Sequence, residues 1–365
     1  MKITLIAGAR PNFMKIAPII HNIKKAKSEG HDISYRLIHT GQHYDHKMSA
    51  TFFEELNIPL PDVNLGVGSG SQAEQTAAIM IAFEKEMLKH PTDLVMVVGD
   101  VTSTMACSIV AKKLKTKVAH VEAGIRSFDL RMPEEINRMV TDAITDYFFT
   151  TSERANTNLR KAGITDDRIF YVGNVMIDTL LTNLPRLKRP NFFEEIGLKN
   201  GDYIVMTMHR PGNVDEEDKL KAFMNEITSN VNGKPIIFPV HPRTKKILDD
   251  LRIETPNLFM VEPLGYLEFN YLVKNSMAVI TDSGGITEET TIMGVPCMTL
   301  RDNTERPETI EVGTNELVGT NPRDIKAYLE KLFAGEWKKG TAPALWDGNA
   351  ANRIINLLLK ITSKA

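Results

Sequence analysis

Seven short polar sets in the sequence carry groups able to bind an anion or move a proton: Gly8-Ala9-Arg10, Thr40-Gly41-Gln42-His43, Gly99-Asp100, Glu122-Ala123-Gly124, Met208-His209-Arg210, Val240-His241-Pro242 and Asp282-Ser283-Gly284-Gly285. Each directly follows a short apolar run. Ligands of open parallel α/β sheets bind beyond the carboxyl ends of the strands, so these sets point to a ligand cleft. The stretch from Asp282 to Glu289 follows such a run and opens a helical pattern. There glycine lets the backbone approach a ligand, and the first helical N–H groups favour an anion. The alternative is a tight turn with Ser283 as an ordinary helix cap. Arg10 and Lys15, five residues apart across the first turn, either reach a phosphate or form a solvated basic edge, and Pro11 suits an early helical position. Asp100, Glu122, Glu134 and His209 are the candidate acids and bases. Taken singly, each serves equally well as a cap or a salt-bridge partner, and Glu134 or Glu135, just after Pro133, is what any helix start prefers.

Other chemistries lack their signatures. Gly66, Gly68 and Gly70 follow no long strand and match neither a dinucleotide fingerprint nor a Walker loop, so they read as a flexible loop. No HExxH string occurs, and His43 with His46 reads as polar surface or a ligand contact rather than a metal site. The absence of a GxSxG elbow makes Ser283 a poor nucleophile.

The elements that must position these groups alternate strand and helix. Strand patterns at 3–7, 35–39, 94–98, 118–121, 147–150 and 169–172 are separated by helical ones, including 71–88, which opens on the capping box Ser71-Gln72-Ala73-Glu74. After a basic, proline-flanked segment at 184–190 the series restarts at 203–207, 236–239, 258–261, 278–281 and 297–300, and a helix pattern at 350–361 closes the chain. This is the pattern of βαβ units, and it predicts two α/β domains built on parallel sheets. The chain has 365 residues with 44 Lys plus Arg against 46 Asp plus Glu, a formal charge of -2 that argues against a nucleic-acid partner. No apolar run approaches the ~20 residues of a membrane span. The first eight residues read as a buried strand rather than a leader, and Cys107 and Cys297 sit in apolar stretches as buried thiols do, which predicts a cytoplasmic protein.

The chain resembles the non-hydrolysing UDP-N-acetylglucosamine 2-epimerases, and the resemblance runs from Gly8 to beyond Gly313. It is carried by Gly8-Ala9-Arg10-Pro11 with Lys15, Gly41-Gln42-His43, Gly99-Asp100, His120-Val121-Glu122-Ala123-Gly124, Pro133-Glu134-Glu135-Ile136-Asn137-Arg138, Pro239-Val240-His241-Pro242, Asp282-Ser283-Gly284-Gly285 with Glu288-Glu289, and Arg301-Asp302 followed by Thr304-Glu305-Arg306-Pro307-Glu308. The resemblance implies a GT-B architecture. Its parts are a Rossmann-like domain over 1–184, a UDP-binding Rossmann-like domain over 185–348 facing it across a cleft, and a last helix over 349–365 packed back on the first. It also implies a homodimer, no cofactor and no metal. Catalysis falls on Asp100, Glu122, Glu134 and His209; substrate contacts fall on Arg10, Lys15, Arg138, His241, Ser283, Gly284, Gly285 and Glu289, with Gln42, His43, Arg210 and Arg306 as further contacts. The implied activity is epimerisation of UDP-N-acetylglucosamine at carbon 2 for surface polysaccharide precursors. Tyr44-Asp45 and Arg210-Pro211 are similar to a branch acting on UDP-2,3-diacetamido-2,3-dideoxyglucuronic acid. A UDP-sugar glycosyltransferase of the same fold would need an acceptor site, and a nucleotide-sugar sensor could dispense with the acids.

Overall fold

In a computed structural model the described residues are 1–41, 53–240, 242–251 and 255–362. They form two compact units, Met1–Thr182 with Ala344–Ala365, and Asn183–Pro343. Both are doubly wound parallel α/β sheets, the class the strand and helix patterns predict.

The first unit has β1 (Lys2–Ala7), β2 (Ser34–His39), β3 (Val63–Asn64), β4 (Leu94–Val98), β5 (Lys117–Val121), β6 (Tyr147–Thr150) and β7 (Ile169–Tyr171) in the order β3-β2-β1-β4-β5-β6-β7. Every residue of Leu94–Val98 is buried, as expected for a central strand covered on both faces. The chain order reverses between β1 and β4, the crevice where such sheets bind ligands. The predicted helix runs Gln72–Lys89, and its capping box forms: Ser71 Oγ accepts from Glu74 N–H and Glu74 Oε2 accepts from Ser71 N–H. The closing helix Ala350–Thr362 packs on the Arg10–Ser28 helix. Asp178 caps its start, taking the N–H groups of Ala350 and Ala351 at 3.1 and 2.7 Å.

The second unit has β8 (Ile204–Thr207), β9 (Ile236–Pro239), β10 (Leu258–Val261), β11 (Ala278–Thr281), β12 (Cys297–Thr299) and β13 (Asn315–Leu317), ordered β10-β9-β8-β11-β12-β13. Its order reverses between β8 and β11, so the two sheets share one plan. Strands β3 and β13, which the sequence reading leaves out, are short edges pairing on one side only. Cys107 and Cys297 are buried and unpaired, and burial pushes both thiols up, Cys297 to about 12. No helix among the described residues is long and apolar enough to cross a membrane.

Candidate active site

In the first unit the polar groups gather past three adjacent strands, β1, β4 and β5. After β1, Pro11 occupies the first turn of the Arg10–Ser28 helix, and Asn12 Oδ1 takes the N–H groups of Gly8 and Ala9 at 3.0 Å each. That turn aims Lys15 across the sheet end, where its Nζ lies 2.7 Å from Glu122 Oε2. Glu122 follows β5 in a left-handed conformation, φ 71°, that non-glycine residues seldom adopt, and it is only 3% exposed. Gly99, past β4, is also left-handed. A side chain there would meet Lys15 Nζ at 2.9 Å, so glycine makes room for the ammonium.

Asp100 comes next. Its Oδ2 lies 2.5 Å from Arg138 Nη2, and its carbonyl accepts from Asn137 at 2.9 Å. Arg138 is buried, and its Nη1 donates to Glu135 at 2.8 Å. Its guanidinium therefore bridges two carboxylates and holds Asp100. Glu135 also takes N–H groups from Ser127 and Phe128. Burial alone would raise its carboxyl, but these bonds and Arg138 outweigh that and keep it below its usual range. Of the two acids after Pro133, Glu135 is thus committed to the fold, whereas Glu134 makes no ion pair or hydrogen bond among the described residues.

Beneath these groups lies a buried pair the sequence reading did not single out. His120 directs Nε2 at the Gly99 carbonyl, 2.8 Å away, and Nδ1 at Asp142 Oδ1, 2.7 Å away. The other Asp142 oxygen takes Gly124 N–H at 3.0 Å and Arg126 Nη1 at 2.7 Å. Burial pushes the Asp142 carboxyl up, yet His120 and Arg126 together hold it below its ordinary value. Each ring nitrogen of His120 thus faces an oxygen, one on the Gly99 backbone and one on Asp142. One imidazole thereby ties the loop carrying Asp100, the turn carrying Glu122 and the helix carrying Glu134.

The second unit repeats the arrangement past β8, β11 and β12. His209, after β8, lies with Nδ1 2.7 Å from Asp282 Oδ1, leaving its opposite nitrogen toward solvent; its side chain is 62% exposed. Asp282 is fully buried and takes N–H groups from His209 and Arg210 as well. Desolvation would raise it, but the hydrogen bond and charge of His209 and these N–H groups keep it low, so it remains a carboxylate that orients the imidazole. Arg210 is turned back on the Asp282 carbonyl at 3.0 Å.

Ser283 stands at the N-cap of the Gly284–Met293 helix, as a strand-to-helix turn requires, but its side chain makes no capping bond. A side chain at Gly285 would meet open space. Further along the helix, Glu288 pairs with Arg306 Nε, and Glu289 accepts from Tyr266 Oη at 2.7 Å. Burial, helped by the charge of Glu288, pushes Glu289 up to about 7 against the bonds from Tyr266 and Asn270. Gln42, His43 and His241 lie outside the described residues, as does the Arg10 side chain.

The family model for UDP-N-acetylglucosamine 2-epimerase matches residues 25–359. A UDP-N-acetylglucosamine 2-epimerase of Methanocaldococcus jannaschii is 43% identical over 369 residues, covering 98% of this chain and 99% of its own. A UDP-2,3-diacetamido-2,3-dideoxy-D-glucuronate 2-epimerase of Pseudomonas aeruginosa is 38% identical over 367 residues, covering 99% and 100%. Among solved structures, the Methanocaldococcus jannaschii enzyme in complex with UDP-GlcNAc and UDP aligns with TM-score 0.87 at 43% identity, over 99% of this chain and 100% of that one. The Neisseria meningitidis enzyme bound to UDP-GlcNAc aligns with TM-score 0.88 at 29% identity, over 99% and 100%. Matched along nearly its whole length, the chain belongs to the UDP-N-acetylglucosamine 2-epimerase family.

Proposed function

We propose that the protein interconverts UDP-N-acetylglucosamine and UDP-N-acetylmannosamine by inverting carbon 2. The observation that carries this reading is the pairing of carboxylates with cations past adjacent strands β4 and β5, Asp100 with Arg138 and Glu122 with Lys15, in a chain of this family. The carbon 2 proton is not beside a carbonyl and is barely acidic, so the bond from carbon 1 to the diphosphate breaks first. The departing oxygen takes the bonding pair, and the ring becomes a cation whose carbon 2 proton is strongly acidified. A base removes that proton, giving 2-acetamidoglucal and UDP; a proton delivered to the opposite face and return of UDP to carbon 1 complete the inversion.

In this reading Arg10, Lys15 and the Ser283-Gly284-Gly285 helix start bear the developing charge on the diphosphate. His241 and Glu289 meet the nucleotide, with Gln42, His43, Arg210 and Arg306 as further contacts. Asp100, Glu122, Glu134 and His209 share the proton traffic on the two faces, and coupled carboxylates titrate as a group. Arg138 serves by holding Asp100. Proton NMR of UDP-N-acetylglucosamine incubated with the purified protein should show the mannosamine epimer; unchanged substrate contradicts the proposal. The Pseudomonas aeruginosa relative carries a second reading, the same inversion on the diacetamido glucuronate sugar, and the ratio of kcat/KM for the two substrates decides between them.

A homodimer in the cytoplasm belongs to the same proposal. Ile81 and Leu88 on the Gln72–Lys89 helix, and Ile136 and Met139 on the Pro133–Ile144 helix, are exposed apolar side chains that suit a subunit contact. Two buried free cysteines suit a reducing compartment. Sedimentation at micromolar concentration should give twice the 40.9 kDa chain mass; a monomer contradicts the dimer alone.

A further inference from the structure

Strand β12 lies beside β11 in the second sheet, and Arg301 follows it much as Ser283 follows β11. The Arg301 side chain is 4% exposed. Its Nη2 donates to Glu305 Oε2 at 2.6 Å and to Asn303 Oδ1 at 3.4 Å. Its Nε and Nη1 are buried with no hydrogen-bond acceptor among the described residues. A guanidinium carries five donors and cannot be neutralised by losing a proton, so burying two of its nitrogens unsatisfied is costly unless an acceptor arrives from outside.

The place these nitrogens occupy names the acceptor. Nη1 lies 3.6 Å from where a Cβ on Gly284 would stand and Glu305 Oε1 lies nearer, at 2.8 Å, so the arginine and its carboxylate partner both border the first turn of the Gly284–Met293 helix. That turn offers its own N–H groups without a side-chain cap. A helix start and an unsatisfied planar cation side by side fit a group with several oxygen acceptors and negative charge. Glu305 offsets the arginine charge, so the site works through aimed donors rather than through excess positive charge.

We infer that Arg301 is a further substrate-binding residue, donating to the diphosphate of the UDP-sugar alongside the Ser283-Gly284-Gly285 turn. This rests on the proposed function. Contact with the departing oxygens would strengthen as the bond to carbon 1 breaks, so Arg301 acts on leaving-group charge as well as on affinity.

Calorimetric titration of the full chain with UDP and with uridine tests it. Arg301→Gln should weaken UDP at least tenfold, the worth of one charge-assisted hydrogen bond, and leave uridine unchanged. The double variant Arg301→Gln with Glu305→Gln should stay as weak. Recovery of UDP affinity in the double variant would mean that Arg301 merely neutralises Glu305, and an equal loss for uridine would mean that it only supports the fold; either result overturns the inference. Wild-type UDP affinity in Arg301→Gln overturns it too. If that variant does not fold, the Arg301 Nε–H resonance of the wild-type protein, assigned by its loss in Arg301→Lys, decides: a shift on adding UDP but not uridine supports the contact, and no shift with UDP contradicts it. Should the wild-type chain bind no UDP at all, the proposed function falls with the inference; UDP binding that ignores Arg301 removes only the arginine.

Discussion

The two sheets follow one order, and the residues past corresponding strands differ in sign: β5 in the first unit leads to Glu122, whereas β12 in the second leads to Arg301. Past the neighbouring strands, β4 leads to Asp100 and β11 to an uncapped helix start. In the first unit Asp100 and Glu122 each lie against a cation, Arg138 and Lys15. Donors converge in the second, while Glu289 and Glu308, both buried, are pushed up to about 7. The backbone plan is shared, so it does not decide the chemistry. The strand-end side chains do: in the proposed function the first unit contributes most of the proton handlers, and the Ser283-Gly284-Gly285 turn of the second joins Arg10 and Lys15 at the diphosphate.

That division breaks most visibly through the acids. Asp100→Asn, Glu122→Gln and Glu134→Gln should each cut turnover by ~10² to 10⁴ while UDP affinity, read by calorimetry, stays within about tenfold. His209, held by Asp282 in the second unit, is the proposed exception among the proton handlers, and His209→Asn should behave like the acids. Loss of UDP binding in the carboxylate variants would place those groups at the nucleotide instead. The converse change is Gly285→Val. Because a side chain there meets open space, the variant should melt like wild type and yet bind UDP about 2 kcal/mol more weakly, the branched side chain standing where the backbone must approach phosphate. Unaltered UDP affinity in that variant takes the loop out of the site.

The smallest effect sharpens the contrast through pH. For Glu289 and Glu308 the folded value, about 7, lies above the 4.5 of a glutamate in the unfolded chain. Their contribution to stability is therefore complete below pH 4.5 and lost as pH rises through 7. Between pH 6 and 8 the second unit should lose about 1 kcal/mol for each glutamate. The first unit should lose less over that window, about 0.4 kcal/mol, because Asp178, at about 6, is already half ionised at pH 6 and Asp142 and Glu135 are held low. Each unit holds one tryptophan, Trp346 in the first and Trp337 in the second. Urea unfolding of Trp346→Phe and Trp337→Phe variants by fluorescence reads the two separately. Parallel pH curves would remove the asymmetry.

Much of this was legible in the sequence, for identifiable reasons. The central strands β4, β5, β8, β9 and β11 are buried apolar runs, so periodicity finds them. Val63–Asn64 and Asn315–Leu317 are too short and too polar to stand out. Asp100, Glu122, His209 and Ser283 could be singled out because each directly follows such a run. Their partners could not. Asp282 meets His209 across 73 positions, and His120 meets Asp142 across 22, through the adjacency of strands and helices that periodicity does not order. Nor can spacing separate Glu134 from Glu135; only the Ser127–Phe128 loop folding onto Glu135 does so. Arg301 was visible as part of a familiar string, but its buried, unmatched nitrogens are a property of packing.

The central claim is that the bond to the diphosphate breaks before the carbon 2 proton moves, with Arg10, Lys15 and the Ser283-Gly284-Gly285 turn taking the charge and Asp100, Glu122, Glu134 and His209 handling the proton. The most direct test is to run the reaction in deuterated water with UDP-N-acetylglucosamine labelled with oxygen-18 in the bridge between carbon 1 and phosphorus. Cleavage frees the β-phosphate to rotate, so recovered substrate should carry deuterium at carbon 2 and label scrambled into the non-bridging positions. Deuterium at carbon 2 with the label still entirely in the bridge would contradict the account.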